Sequence, residues 1–224
     1  MALPIAVLVS GSGSNLQALI DRIEAGVLNA SIRVVFSNKP HAYGLERARI
    51  HGLPSVCIPH GEYPDRQEFD RAMVRAIEGS GAEAVVLAGF MRLLSAEFLR
   101  AFPNRVVNIH PALLPSFAGV HGQSDAVAYG VTLSGCTAHF VDEHMDHGPV
   151  IIQAAVPAYP DDDDRTLGGR ILAYEHRILS QAVQWLAVDR LRIEGRKVRL
   201  LPASIALAPA PVDALVNPPL EQGF

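Results

Sequence analysis

The chain is poor in sulfur, lacks any excess of positive charge and has no long apolar run. Each shortage excludes something. Only two of the 224 residues are cysteines, Cys57 and Cys136. They stand far apart, with no C-x-x-C pair and no regular histidine spacing, so neither a disulfide framework nor a zinc finger is expected. They read as reduced thiols in the core of a cytoplasmic protein. A formal charge of -4 offers no basic field to nucleic acid. No apolar stretch approaches the ~20 residues that span a bilayer, so no membrane partner is expected. The opening MALPIAVLVSGSG has no basic n-region, and its apolar residues fit a first strand better than a signal peptide. What is left is ordinary globular composition, 49% apolar and 19% charged, enough for one sizeable core.

What is present is a rhythm. IAVLVS (5–10) leads into SNLQALIDRIEAG (14–26), where Leu16, Leu19, Ile20 and Ile23 share a helical face. Apolar runs at 32–37, around PSVCI, around AEAVVLAGF and around NRVVNI follow, separated by helical patterns. Strand and helix in alternation predict a parallel sheet with crossover helices, and doubly apolar strands predict helices on both faces. The expected fold class is therefore α/β, a Rossmann-like open, mostly parallel sheet. After about residue 130 the pattern changes. VTLSGCTAHFV and GPVIIQAAVP form an expected strand pair extending the sheet, a long helix is expected over 165–187, and RLRIEGRKVRLL reads as a hairpin around Glu194-Gly195. Residues 1–202 are expected to form a single domain. The Ala/Pro-rich stretch 203–224 reads as an extended or disordered appendage.

VSGSGSNLQ places Gly11, Gly13, Ser14 and Asn15 between the first strand and the first helix. Free backbone N–H groups and the positive end of a helix dipole suit an anion there. A dinucleotide fingerprint lacks its third glycine, since residue 16 is Leu16, and the second strand ends in Ser37-Asn38-Lys39 rather than an acid. A Walker loop lacks its lysine. A terminal phosphate monoester on a smaller substrate fits better, with a mere tight turn as the plainer alternative.

VVNIHPALLPSF ends a buried strand in Asn108-x-His110 and follows it with Pro111 and Pro115. Residues i and i+2 of a strand point the same way, so Asn108 and His110 can aim at one point. Asp146, in the turn DEHMDHGPV, is a third candidate. An amide donor, an imidazole and a carboxylate together suit an oxyanion formed by attack on a carbonyl. Each has a plainer reading as a turn residue, a structural histidine or a turn cap, and spacing alone does not bring Asp146 to His110. His121, His139, His144 and His147 raise zinc as an option, but there is no H-E-x-x-H and the spacings are irregular, so no metal is expected.

SGSGSNLQALID, VFSNKPHAYGLERA, VVLAGFMRLLS, NIHPALLPSFAGVHG, HFVDEHMDHGPVIIQ and YEHRIL together resemble the glycinamide ribonucleotide formyltransferases of purine synthesis, in that family's order and over roughly residues 4–190. The resemblance implies the formyltransferase fold and transfer of a formyl group from 10-formyltetrahydrofolate to the amine of 5-phosphoribosylglycinamide. It implies that Gly13, Ser14 and Asn15 hold the substrate phosphate and that Glu175 orients the substrate amine. Asn108, His110 and Asp146 become the catalytic group, with Asn108 and protonated His110 donating to the oxyanion. Met91, Arg92, Leu93 and Leu94 line the folate pocket, the loop Asp142, Glu143, His144, Met145 and Asp146 closes over the pterin, and Arg66 contacts the cofactor. Pro111 and Pro115 would limit drift behind His110.

His147 departs from that pattern, which has a small residue after the aspartate; an imidazole there could reshape the loop, compete for Asp146 or face solvent. The run 161–164 is expected to cap the next helix. Two relatives fit less well. A 10-formyltetrahydrofolate deformylase carries a regulatory domain ahead of the glycine loop, and here the loop starts at residue 11. A methionyl-tRNA formyltransferase needs a basic C-terminal module. A non-catalytic phosphosugar-binding protein is the remaining alternative. A monomer or homodimer is expected.

Overall fold

The strands explain the architecture, because their side chains are buried on both faces. The computed structural model describes residues 1–224. In β1 (Leu3–Val9), Ile5, Val7 and Val9 join one hydrophobic cluster while Ala6 and Leu8 join another on the opposite face. Such a strand needs helices above and below it. The first cluster is closed by α1 (Ser14–Glu24) and α6 (Asp164–Ala187), through Leu16, Leu19, Ile178 and Trp185 among others. The second is closed by α3 (Arg66–Gly79) and α4 (Ala96–Ala101), through Phe69, Met73, Ile77 and Phe98.

The remaining strands are β2 (Ala30–Ser37), β3 (Ser55–Cys57), β4 (Ala84–Leu87), β5 (Val106–His110), β6 (Leu133–Phe140), β7 (Val150–Pro157), β8 (Leu191–Glu194), β9 (Lys197–Leu200) and β10 (Leu215–Asn217), with helices α2 (Tyr43–Ile50) and α5 (Gly122–Tyr129). The sheet order is β3-β2-β1-β4-β5-β6-β7-β9-β8, with β10 paired to β7. Strands β1 to β5 run parallel, and β6 and β7 join antiparallel. The expected open, mostly parallel sheet is present, mixed by its antiparallel strands, as are the strand pair, the hairpin β8–β9 and the long helix. Asp163 caps that helix with a capping box to Thr166, as the acidic run implied. Helix α5 had no clear apolar face in the sequence and was not expected. No helix is long and apolar enough to cross a membrane.

Two expectations are corrected. Residues 203–224 are not a free appendage. Residues 203–206 are exposed and carry no regular structure, but Leu207 bridges to Glu221, β10 pairs with β7, and Leu220, Glu221 and Phe224 are buried. Glu221 accepts from Trp185 Nε1 at 2.9 Å and Gln181 Nε2 at 3.2 Å, and it pairs with Arg190. One buried acid thus anchors the segment to α6, which no apolar periodicity announces. The second correction concerns the thiols. Cys136 is buried in β6, but Cys57 is exposed on the edge strand β3.

The chain reverses direction across the sheet between β1 and β4. Ligands of open α/β sheets bind outside the carboxyl ends of strands at such a point. Ser10 N–H donates to Gly89 O across it, and the Ser10 hydroxyl links Asn38, after β2, to Met91 N–H, after β4.

Candidate active site

The glycine loop is built from backbone. Gly13 is the N-cap of α1 at φ 69°, in the left-handed region that glycine reaches without strain. A Cβ there would stand 2.6 Å from Gly44 Cα, so the close approach of α2 needs two glycines. Gly44 N–H donates to Gly11 O, and Arg47 Nε donates to Ser12 O. Those carbonyls therefore face α2, and the first-turn N–H groups of Ser14, Asn15 and Leu16 have no carbonyl one turn back to use. Helices α3, α4 and α6 are capped by Asp65, Ser95 and Asp163, whereas α1 has neither a side-chain cap nor an acid in its first turn. An anion is the complementary partner.

Asn15 does not point its side chain to the mouth of this loop. Its Nδ2 donates to Glu175 Oε2 at 2.8 Å. Glu175 is 6% exposed, and burial pushes its carboxyl above the ordinary range, with the Asn15 amide pulling the other way. Among the residues expected to hold phosphate, Gly13 and Ser14 offer the loop directly and Asn15 offers its N–H.

Next to the loop, beyond β4 and β5, lies a cleft of about 340 Å³. Met91, Arg92, Leu93 and Leu94 form one wall, Asp142, Glu143, His144, Met145 and Asp146 the other, and Asn108, His110 and His139 the floor. Met91, Leu93 and Met145 keep large apolar surfaces exposed there, which suits a flat, partly apolar ligand. Arg92 stacks over Phe69, 5.4 Å from the ring centre, and its buried Nε has no partner. Arg66 lies exposed at the start of α3 and is not part of the cleft wall.

At the floor the predicted trio does meet. His110 Nδ1 is 3.4 Å from Asp146 Oδ2. Asp146 stands at φ 50° and is held by Gly119 N–H at 2.8 Å. A non-glycine residue in that region is a form of strain that clusters at functional sites. Since a carbonyl only accepts, His110 Nε2 donates to Phe117 O, 2.9 Å away. In this conformation no N–H of His110 is free to reach a ligand, which departs from the expected role.

His139 completes the floor, and nothing in the chain singles it out beyond its place among several histidines. Burial pushes its imidazole below the usual histidine value, so it is neutral at pH 7. Its Nδ1 donates to Phe140 O at 2.8 Å, leaving a lone pair on Nε2. That lone pair faces Asn108 Nδ2 at 3.1 Å and thereby fixes the amide's orientation. His139 Nε2 also lies 3.9 Å from Asp146 Oδ1. The strand alternation that aligned Asn108 with His110 could not reveal a partner on β6. Register does, because Asn108 pairs with His139 across the β5–β6 ladder. His147 does not compete for Asp146. It turns outward to Asp142 and Arg196.

The formyl transferase family profile matches residues 3–183. The chain belongs to the formyl transferase family. Phosphoribosylglycinamide formyltransferase of Escherichia coli K12 is 40% identical over 189 residues, covering 84% of this chain and 89% of that protein. The trifunctional purine biosynthetic protein adenosine-3 of Drosophila pseudoobscura is 48% identical over 190 residues. The match covers 84% of this chain but only 14% of that much longer relative. Glycinamide ribonucleotide transformylase 1 of Symbiobacterium toebii superposes with a TM-score of 0.88 at 47% identity, covering 90% of this chain and 95% of that one. The formyl transferase fold thus extends over nearly the whole chain.

Proposed function

We propose that the chain transfers the formyl group of 10-formyltetrahydrofolate to the amine of 5-phosphoribosylglycinamide, a step of purine synthesis. The observation that carries this is the adjacency of an uncapped glycine loop at β1 and the Asn108–His110–Asp146 floor at the end of β5. A phosphate on the first places the rest of a small phosphosugar toward the second.

In this reading the amine nitrogen attacks the formyl carbon, and the carbonyl electrons become an oxyanion. Asn108, pre-aimed by His139, directs its second N–H at that oxygen. His110 joins it once Phe117 O yields its hydrogen bond. One such donor typically contributes ~10²–10³ in rate. The amine proton leaves toward Asp146 and reaches the departing folate nitrogen as that C–N bond breaks. Glu175 orients the substrate from beneath the loop. Met91 to Leu94 and Asp142 to Asp146 enclose the pterin, and Arg92 and Arg66 attract the acidic end of the folate. The transfer step uses no metal, and the working unit is a cytoplasmic monomer or homodimer.

The test follows deformylation of a 10-formyl folate spectrophotometrically, with and without 5-phosphoribosylglycinamide. Turnover that requires the glycinamide and collapses in His110→Ala and Asp146→Asn is expected. Turnover without it would make the chain a hydrolase, and folate binding without turnover would leave only a binding protein.

A further inference from the structure

The rim of the cleft carries a cluster that joins two residues of the cleft wall, Asp142 and His144, to His147, which lies outside the wall. Asp142, His144 and His147 lie on one turn and present a ligand atom each, all within 4.8 Å of one another. His147 Nδ1 is 3.0 Å from Asp142 Oδ2, and His144 Nδ1 is 4.0 Å from Asp142 Oδ1. Bonds of ~2.0–2.1 Å in a tetrahedral site put ligand atoms roughly 3.4 Å apart. Small side-chain rotations reach that spacing from the observed one.

We propose that Asp142, His144 and His147 form a surface site for a zinc-class divalent transition metal, open to water at its fourth position. Two imidazoles with one carboxylate favour zinc, cobalt, nickel or copper over calcium and magnesium, which take oxygen ligands. Both histidine side chains are largely exposed, at 77% for His144 and 53% for His147, while Asp146 between them turns inward at 13%. The site and the catalytic floor therefore share one turn: Asp146 points inward, His147 points outward, and Asp142 and His144 stand between them on the cleft wall. A metal bridging Asp142 to His147 would brace the turn that presents Asp146.

Arg196, at the tip of the β8–β9 hairpin, is the competing group. Its Nη1 lies 3.0 Å from both ring nitrogens of His147, and its Nη2 donates to His147 O. The His147 ring cannot serve a metal and this guanidinium together, and two cations there repel. Metal binding must release Arg196 from the ring, so removing Arg196 should strengthen binding rather than weaken it.

The test titrates the full-length protein with Co²⁺, read by its visible absorption, and with Zn²⁺ in competition. One equivalent is expected, with no response to Ca²⁺ or Mg²⁺. His144→Ala and His147→Ala should each weaken binding by more than the ~10-fold typical of losing an outer-shell partner. Arg196→Ala should tighten it several-fold, and His110→Ala should leave it unchanged. Binding that survives His147→Ala, or that is lost in His110→Ala, would place the metal elsewhere and overturn the proposal. No saturable binding below millimolar metal would do the same. These readouts do not depend on transferase activity, so failure of the site and failure of the proposed reaction are separable.

Discussion

The two halves of the candidate site are made of different material. The glycine loop is backbone, shaped by what Gly13 and Gly44 lack and by two carbonyls turned toward α2. The floor is side chain, with Asn108 aimed by His139 and with His110 and Asp146 facing each other. A backbone site tolerates changes of side-chain chemistry but not of volume. A side-chain site tolerates neither loss of a group nor a wrong tautomer, yet its residues can be replaced without disturbing the fold. Substitutions in the first should therefore move stability and affinity together, and substitutions in the second should move rate alone.

The sharpest contrast comes from the floor. His110→Ala and Asp146→Asn are expected to lower kcat by ~10³, with melting temperatures within a few degrees of the parent. A large loss of Tm in both would erase the distinction. Next is the remote support of the loop. Asn15 ties the loop to Glu175 on α6, and Glu221 in turn anchors the last residues to α6. Glu221→Ala leaves Arg190, Gln181 and Trp185 without their shared acceptor and should cost about 3 kcal/mol in urea unfolding, with faster amide exchange at β10. Gly13→Ala follows. Strain at φ 69° and the contact with Gly44 should lower stability by ~1–3 kcal/mol and raise the KM of the phosphate-bearing substrate, with little change in kcat.

The smallest effect concerns Glu175. Its folded-state value is raised by burial, so the native state holds a proton that the unfolded chain has already lost. The stability this contributes is complete below the ordinary glutamate range and disappears as pH rises through the raised value. Glu175→Gln removes that dependence. Its stability relative to the parent should improve from acid toward neutral pH, as read by thermal melts across that range. A parallel pair of curves would mean that Glu175 does not hold its proton in the native state.

Much of this was legible in the chain. Apolar runs in IAVLVS and RVVNI report burial on both faces, because each residue's environment is written in its own side chain. The glycine loop was legible for a similar reason, since a left-handed N-cap and a close helix approach leave glycine as the residue that fits. Cys57 misled because an apolar run at a sheet edge looks the same as one at its centre. The closing segment misled because its anchor is a single glutamate whose partners lie 31 to 40 residues away.

By itself, then, the sequence determined the strand–helix order, the glycine loop at the first crossover and the shared face of Asn108 and His110, all consequences of local periodicity and of backbone sterics. Only the tertiary structure decided that His139 aims Asn108, that Phe117 O occupies His110, that His147 turns away from Asp146 and that the final residues brace α6. Each of those depends on strand register or on a loop's path, and hydrogen bonds between distant residues leave no repeating mark along a chain.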